Sequence, residues 1–225
     1  MNAEVKEVVV TLLQGRRYLF DLFHTLLGEQ PTVEIAAVAS SENSLRALSL
    51  FTEDDCPAAG NLIQLLARLQ SCDLDGLREE YTRLFLGPQD LIAPPWESVY
   101  LSAERAIFQK STLAVHMWYE QFGYVPKSYP HEPDDHISLM MHFLALLCQR
   151  ALDALEADNM VRYRDALAAQ MMFEQNHLLN WLGAYATEME KSETHCFYPQ
   201  LVDTMQKLVQ YDNALLMEIM GSESL

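Results

Sequence analysis

The stretch "YPHEPDDHISLMMHFLALL", residues 129–147, sets a proline-framed group of acids and histidines directly against an apolar run. From Ile137 onward, apolar side chains recur at spacings of three and four, the period of a helix with a buried face. Pro133 suits the first turn of such a helix, where a missing N–H and a fixed φ cost little. Glu132, Asp134 and Asp135 would put negative charge at the positive end of its dipole. The pattern predicts a core helix over 133–157. The same spacing runs through nearly the whole chain, without alternating β-branched runs. It predicts further helices over 3–27, 32–51 (broken near Ser40 and Ser41), 58–71, 73–86, 101–122, 160–190 and 197–220. The expectation is an all-α chain folded as a single helical bundle.

Two segments interrupt the helical pattern. In "LGPQDLIAPPWES", Gly87, Pro88, Pro94 and Pro95 prevent regular helix; in "FGYVPKSYPHEP", Gly123, Pro126, Pro130 and Pro133 do the same. The second predicts a Pro/Gly-rich hinge at 123–132 between an N-terminal helical half, 1–122, and a C-terminal helical half, 133–225. With 225 residues, half of them apolar, the chain is long enough for a sizeable core.

Charge narrows the choice of partner. Fifteen Lys and Arg stand against 32 Asp and Glu, a formal net charge of -17, which repels phosphate backbones and anionic lipid head groups. Nucleic acid and stable membrane association are therefore poor expectations, while a basic partner would be drawn in. Cys56, Cys72, Cys148 and Cys196 are irregularly spaced, with no CxxC pair, as in a reduced compartment. Cys148 and Cys196 read as small core residues. "GRRYLF", residues 15–20, resembles a twin-arginine export signal, but Asp21 and His24 break the apolar run and no small-residue cleavage site follows. Leu12, Leu13, Leu19, Phe20, Leu22, Phe23, Leu26 and Leu27 instead make a helical stripe. No stretch reads as a membrane span, so a cytoplasmic location is expected.

The opening stretch admits several chemistries. His131, Asp135 and His136 could ligate a metal, although His136 and His142 are six apart rather than the four that would share a helix face. Asp135 beside His136 could serve acid–base catalysis, but neighbours on a helix diverge by about 100° and no nucleophile-elbow motif is present. That alternative is a small helical metal-dependent hydrolase centred on Asp135 and His136. A purely structural helical subunit is a third reading. Recognition is the fourth, with carboxylates offered to cationic side chains at the edge of an apolar groove. Trp96, in a proline-led segment beside Glu97 and Ser98, could supply a wall of that groove.

Several motifs together carry a resemblance. "YTRLFLGP", "APPWESVYLS" and "EPDDHISLMMHFL", followed by "FEQNHLLNWLGAYATEM" and "FYPQLVDTMQKLVQYD", resemble the TorD/DmsD family of redox-enzyme maturation chaperones in order and spacing. The likeness covers roughly residues 77–211. It implies an all-helical protein without catalytic activity, cofactor or metal of its own. Such proteins bind the twin-arginine signal peptide of a molybdopterin-containing reductase precursor and hold it until cofactor insertion, before export. The resemblance implies a leader-binding groove of Tyr81, Leu84, Phe85, Trp96, Glu97 and Ser98 from the middle motif, with Glu132, Pro133, Asp135 and His136 from the hinge motif. Asp135 and Glu97 would then meet the leader's arginines. The expected state is a monomer or a domain-swapped dimer. No GxxxxGKS loop is present, so guanine nucleotide binding is not predicted.

Overall fold

The structure is a computed structural model and describes residues 2–51, 56–87, 90–126, 132–192 and 197–222. Pro88, Pro130, His131 and Cys196, each singled out in the sequence, lie outside the described residues. Among the described residues, eleven α-helices account for most of the chain: α1 (Ala3–Gly28), α2 (Val33–Ala39), α3 (Glu42–Ser49), α4 (Pro57–Arg68), α5 (Leu74–Tyr81), α6 (Glu97–Leu101), α7 (Lys110–Gln121), α8 (Ile137–Glu156), α9 (Met160–His177), α10 (Leu182–Met189) and α11 (Tyr198–Ser222). No named strand occurs among the described residues, so the fold is all-α.

Helix α8 is the axis of the bundle. It packs along α1 on one side and α9 on another, while α11 closes against α4, α9 and α10. Being covered on several sides, α8 buries almost every residue from Ile137 to Cys148. By length and composition it is also apolar enough to cross a membrane, contrary to the sequence expectation, but two thirds of its apolar window (67%) is buried inside the protein. The stripe on α1 faces it, with Leu19, Phe20, Leu22, Phe23, Leu26 and Leu27 all buried. One apolar cluster therefore runs from Leu19 to Val209 and draws on both sides of residues 123–132.

Four helix boundaries depart from the expected pattern for identifiable reasons. The helix expected from Pro133 begins only at Ile137, with His136 as its N-cap, because the backbone of Asp135–Ile137 pairs with another segment. The helix expected from 101 begins at Lys110; Ser102–Gln109 turns through left-handed conformations at Arg105 (φ 50°) and Phe108 (φ 59°). A bidentate ion pair from Arg105 to Glu188, at 2.7 and 2.8 Å, ties that connection to α10. The helix expected over 160–190 breaks after His177, where the Trp181 indole N–H turns back to the His177 carbonyl at 2.6 Å. Helix α5 widens into a π-helical turn over Thr82–Leu86, which lets Leu84 and Phe85 both point inward, and Gly87 (φ 83°) closes it with an N–H to the Thr82 carbonyl.

Candidate functional site

The two irregular segments meet. Ile137 N–H donates to the Pro95 carbonyl at 2.9 Å and Glu97 N–H to the Asp135 carbonyl at 3.2 Å, so Trp96 and His136 face each other in an isolated antiparallel bridge. Prolines explain why these residues are free to pair: neither segment can satisfy its backbone inside a helix. The Asp135 carboxylate then accepts from the Ser98 N–H at 2.8 Å, capping the first turn of α6. The acids before α8 thus serve a different helix from the one they precede. Asp134 holds α7 instead: its Oδ2 accepts from His116 Nδ1 at 2.6 Å, and its carbonyl accepts from the Tyr119 hydroxyl at 2.9 Å.

Above this clamp, the Trp96 indole N–H donates to Glu132 Oε1 at 2.9 Å, and the His136 ring meets the indole edge-on at a centroid distance of 5.5 Å. Trp96, Glu132 and His136 are each partly exposed and form the rim that the joined motifs present to solvent. Burial raises the Glu132 carboxyl above its ordinary range, partly offset by the indole hydrogen bond. His136 is pushed down to about 3, mainly by burial and secondarily by His24, so the ring is neutral and its Nδ1 is free to accept the Ser138 N–H at 3.2 Å.

The remaining members of the expected groove lie deeper. Tyr81, Leu84, Phe85, Glu97, Ser98, Pro133 and Asp135 are buried. Tyr81 and Phe85 stack at 4.8 Å and pack on Tyr198 as core aromatics. Glu97 is fully enclosed and accepts from His177 Nδ1 at 3.2 Å, linking α6 to the end of α9; burial raises its carboxyl. In this conformation neither Asp135 nor Glu97, the acids expected to meet the leader's arginines, reaches the surface. Asp135 Oδ2 caps α6 while its Oδ1 has no hydrogen-bond partner among the described residues, and Glu97 pairs with His177.

Sequence reasoning did not single out the neighbours on α1. His24 Nδ1 donates to the Ser138 carbonyl at 2.9 Å, and its ring stacks on His142 at 4.5 Å; His142 in turn contacts the Tyr124 hydroxyl at 3.0 Å. His24 registered only as an interruption of an apolar run, and no local pattern signals contact with a residue 114 positions away. Asp135 Oδ2 and His136 Nδ1 accept from two different backbone amides, those of Ser98 and Ser138. Among the described residues, no group of three or more His, Cys, Asp or Glu is placed to hold a metal ion.

Comparison with known proteins adds to this geometry. Residues 50–187 match the family described as nitrate reductase delta subunit. The protein named "Probable Tat proofreading chaperone DmsD" from Haemophilus influenzae is 32% identical over 134 residues, covering 60% of this chain and 59% of that protein. "Chaperone protein TorD" from Photobacterium profundum is 27% identical over 158 residues, 70% of this chain and 71% of that one. Its namesake from Vibrio cholerae is 28% identical over 211 residues and 90% of both chains. The match to the Haemophilus protein thus spans about three fifths of that relative's length. These likenesses settle the family: the chain belongs to the nitrate reductase delta subunit family, among the TorD/DmsD redox-enzyme maturation proteins.

Proposed function

We propose that the chain is a non-enzymatic chaperone that binds the twin-arginine signal peptide of a molybdopterin-containing reductase precursor, of the DMSO/TMAO reductase type. It would act in the cytoplasm, holding the precursor for cofactor insertion before export. The observation that carries this reading is the Trp96–Glu132 hydrogen bond, which sets an aromatic face and a carboxylate side by side on one rim. A leader of this kind is a basic pair followed by an apolar stretch able to become helical, and the rim has a surface for each part. The printed names of the relatives, Tat proofreading chaperone among them, support the same assignment.

Affinity should be moderate. Burying about 400 Å² of apolar leader surface contributes on the order of 10 kcal/mol gross. Ordering a disordered peptide takes back about 2–5 kcal/mol, with rigid-body entropy beyond that. Micromolar to submicromolar binding follows, weak enough for release. Motion of the two halves about residues 123–132 would supply that release, and exchange of halves between copies a swapped dimer; either requires parting α1 from α8.

The test is calorimetry with a reductase leader and with its Arg-Arg→Gln-Gln version at two salt concentrations. The doubly substituted leader binds more weakly, the difference shrinks in high salt, and Trp96→Ala loses more affinity than Glu190→Ala. Failure of the wild-type chain to bind any such leader would overturn the assignment.

A further inference from the structure

We infer that α1 carries a concealed ligand of the same class as the leader: segment 16–27, hidden in the folded chain, binds the leader site of another copy when α1 is undocked, in competition with the leader. This rests on the leader-binding reading above. That class of ligand is a basic pair followed by an apolar stretch able to become helical. Within "GRRYLF" and the residues after it, Arg16 and Arg17 supply the pair, and Leu19, Phe20, Leu22, Phe23, Leu26 and Leu27 supply the apolar face of a segment that is helical in α1. Asp21 and His24 interrupt the run as a signal for export, yet they leave that face continuous along the helix.

Concealment of this segment depends on the far end of the sequence. The six apolar side chains are buried in the core. Arg16 is 2% exposed and donates to Asp212 of α11 through two hydrogen bonds, 2.6 and 2.7 Å long. Arg17 is exposed, bonds the Gln149 side chain on α8 and lies 3.8 Å from Asp21. Asp212 follows Arg16 by 196 positions, so a copy cannot cover its basic pair until α11 has been made and packed. A buried ion pair adds little net stability over an apolar pair of similar volume, because both charges must shed water. When the helices part, Arg16 and Asp212 recover their hydration, whereas an apolar pair would gain none. The contact therefore suits a helix that docks conditionally. The hinge motion proposed for release, and any exchange of halves, would part α1 from α8 and free the segment. A freed α1 and a leader then exclude each other at the rim of a neighbouring copy.

The experiment uses the full chain with a synthetic peptide of residues 11–30, the same peptide carrying Arg16→Gln and Arg17→Gln, and a reductase leader. Asp21 and Glu29 balance the two arginines of the peptide, so bulk attraction to a chain of charge -17 does not explain its binding. In calorimetry the wild-type chain binds the peptide, and saturating leader abolishes that binding. The doubly substituted peptide binds about threefold to tenfold more weakly, the range expected of partly exposed charge contacts. Sedimentation reads the same interaction between intact chains. Asp212→Asn, which loosens the hold on Arg16, self-associates more strongly than wild type; the Arg-Arg leader reverses this, its Gln-Gln version does not, and Glu190→Gln behaves as wild type. Should Asp212→Asn fail to fold, the peptide titrations decide. Equal affinity for the two peptides, peptide binding that the leader does not displace, no peptide binding by a chain that binds the leader, or a folded Asp212→Asn without leader-sensitive association would overturn the inference and leave leader binding standing. A wild-type chain that binds neither peptide nor leader would remove both.

Discussion

The Asp135 carboxylate accepts its hydrogen bond from the Ser98 N–H, 37 positions earlier in the chain, so an acid of the hinge motif caps the helix of the Trp96 motif. Neither motif forms the rim alone. Asp135→Ala leaves the Ser98 N–H without its acceptor in a buried setting and should destabilise the fold by about 1–3 kcal/mol, read from urea denaturation. Asp135→Asn keeps an acceptor at the same place and should lose less. It should also retain the distinction between Arg-Arg and Gln-Gln leaders, because Asp135 acts by positioning Trp96. Loss of that distinction in a folded Asn variant would make Asp135 a direct contact instead.

Gly28 is required by closeness, not by an unusual backbone. A Cβ there would lie 2.3 Å from Ser138 Oγ and 3.1 Å from Ser138 Cβ, both inside van der Waals contact. Gly28→Ala must push the first turn of α8 away from α1, where His24 is bound to Ser138 and where Trp96 meets His136. The expected cost is about 1–3 kcal/mol of stability, as for other overpacked sites. Adding Ser138→Gly to Gly28→Ala removes the clashing atoms and should restore part of the loss. No rescue would place the defect elsewhere.

A buried ion pair holds α1 to α11. Arg16 donates to Asp212 through Nε at 2.6 Å and through a second guanidinium nitrogen at 2.7 Å, and both residues are almost fully enclosed. Glu174, also buried, has its carboxyl raised well above the usual range by burial and then by Asp212, which favours its neutral form beside the pair. The two acids therefore differ in their response to amidation. Asp212→Asn leaves the buried guanidinium without its counter-charge and should cost about 3–5 kcal/mol. Glu174→Gln replaces one neutral group by another and should cost less than about 1 kcal/mol. Comparable losses for both would mean that Glu174 is ionised in the fold.

Much of the fold was legible because a helix repeats a local rule: the α1 stripe and the α8 run show their period within a dozen residues. The break at Ser40 and Ser41 was also visible, and Ser41 caps the next helix. What the chain does not reveal locally is which backbone a proline-rich segment will pair with. Asp135 obeys the rule for a helix start and nevertheless serves α6, because pairing Pro95–Glu97 with Asp135–Ile137 satisfies amides that neither segment can satisfy alone. Arg105 and Phe108 were read as helix for the same reason: nothing adjacent announces Glu188, 83 positions away from Arg105. At the rim, the motifs named Trp96, Glu132 and His136, but His24 arrives from α1 to bond Ser138, in a stretch with no motif of its own.

Two histidines around the clamp should respond to pH with opposite signs. His136 is held down to about 3 in the folded chain, against 6.5 ordinarily, and its Nδ1 must stay unprotonated to accept the Ser138 N–H. Between those values the unfolded chain binds more protons, so the stability that His136 contributes is present above 6.5 and is lost as pH falls toward 3. His116 is raised, chiefly by its hydrogen bond to Asp134 and further by the charges of Asp134 and Glu120. Its contribution is complete below 6.5 and disappears as pH rises through the folded value. Urea denaturation of wild type, His136→Asn and His116→Gln from about pH 4.5 to about pH 8.5 separates the two, since the other titrating acids cancel in each difference. The gap between wild type and His136→Asn should widen with pH and level off above about 6.5, while the gap to His116→Gln should be widest on the acid side. Parallel curves for all three proteins would show that neither ring changes its proton affinity on folding.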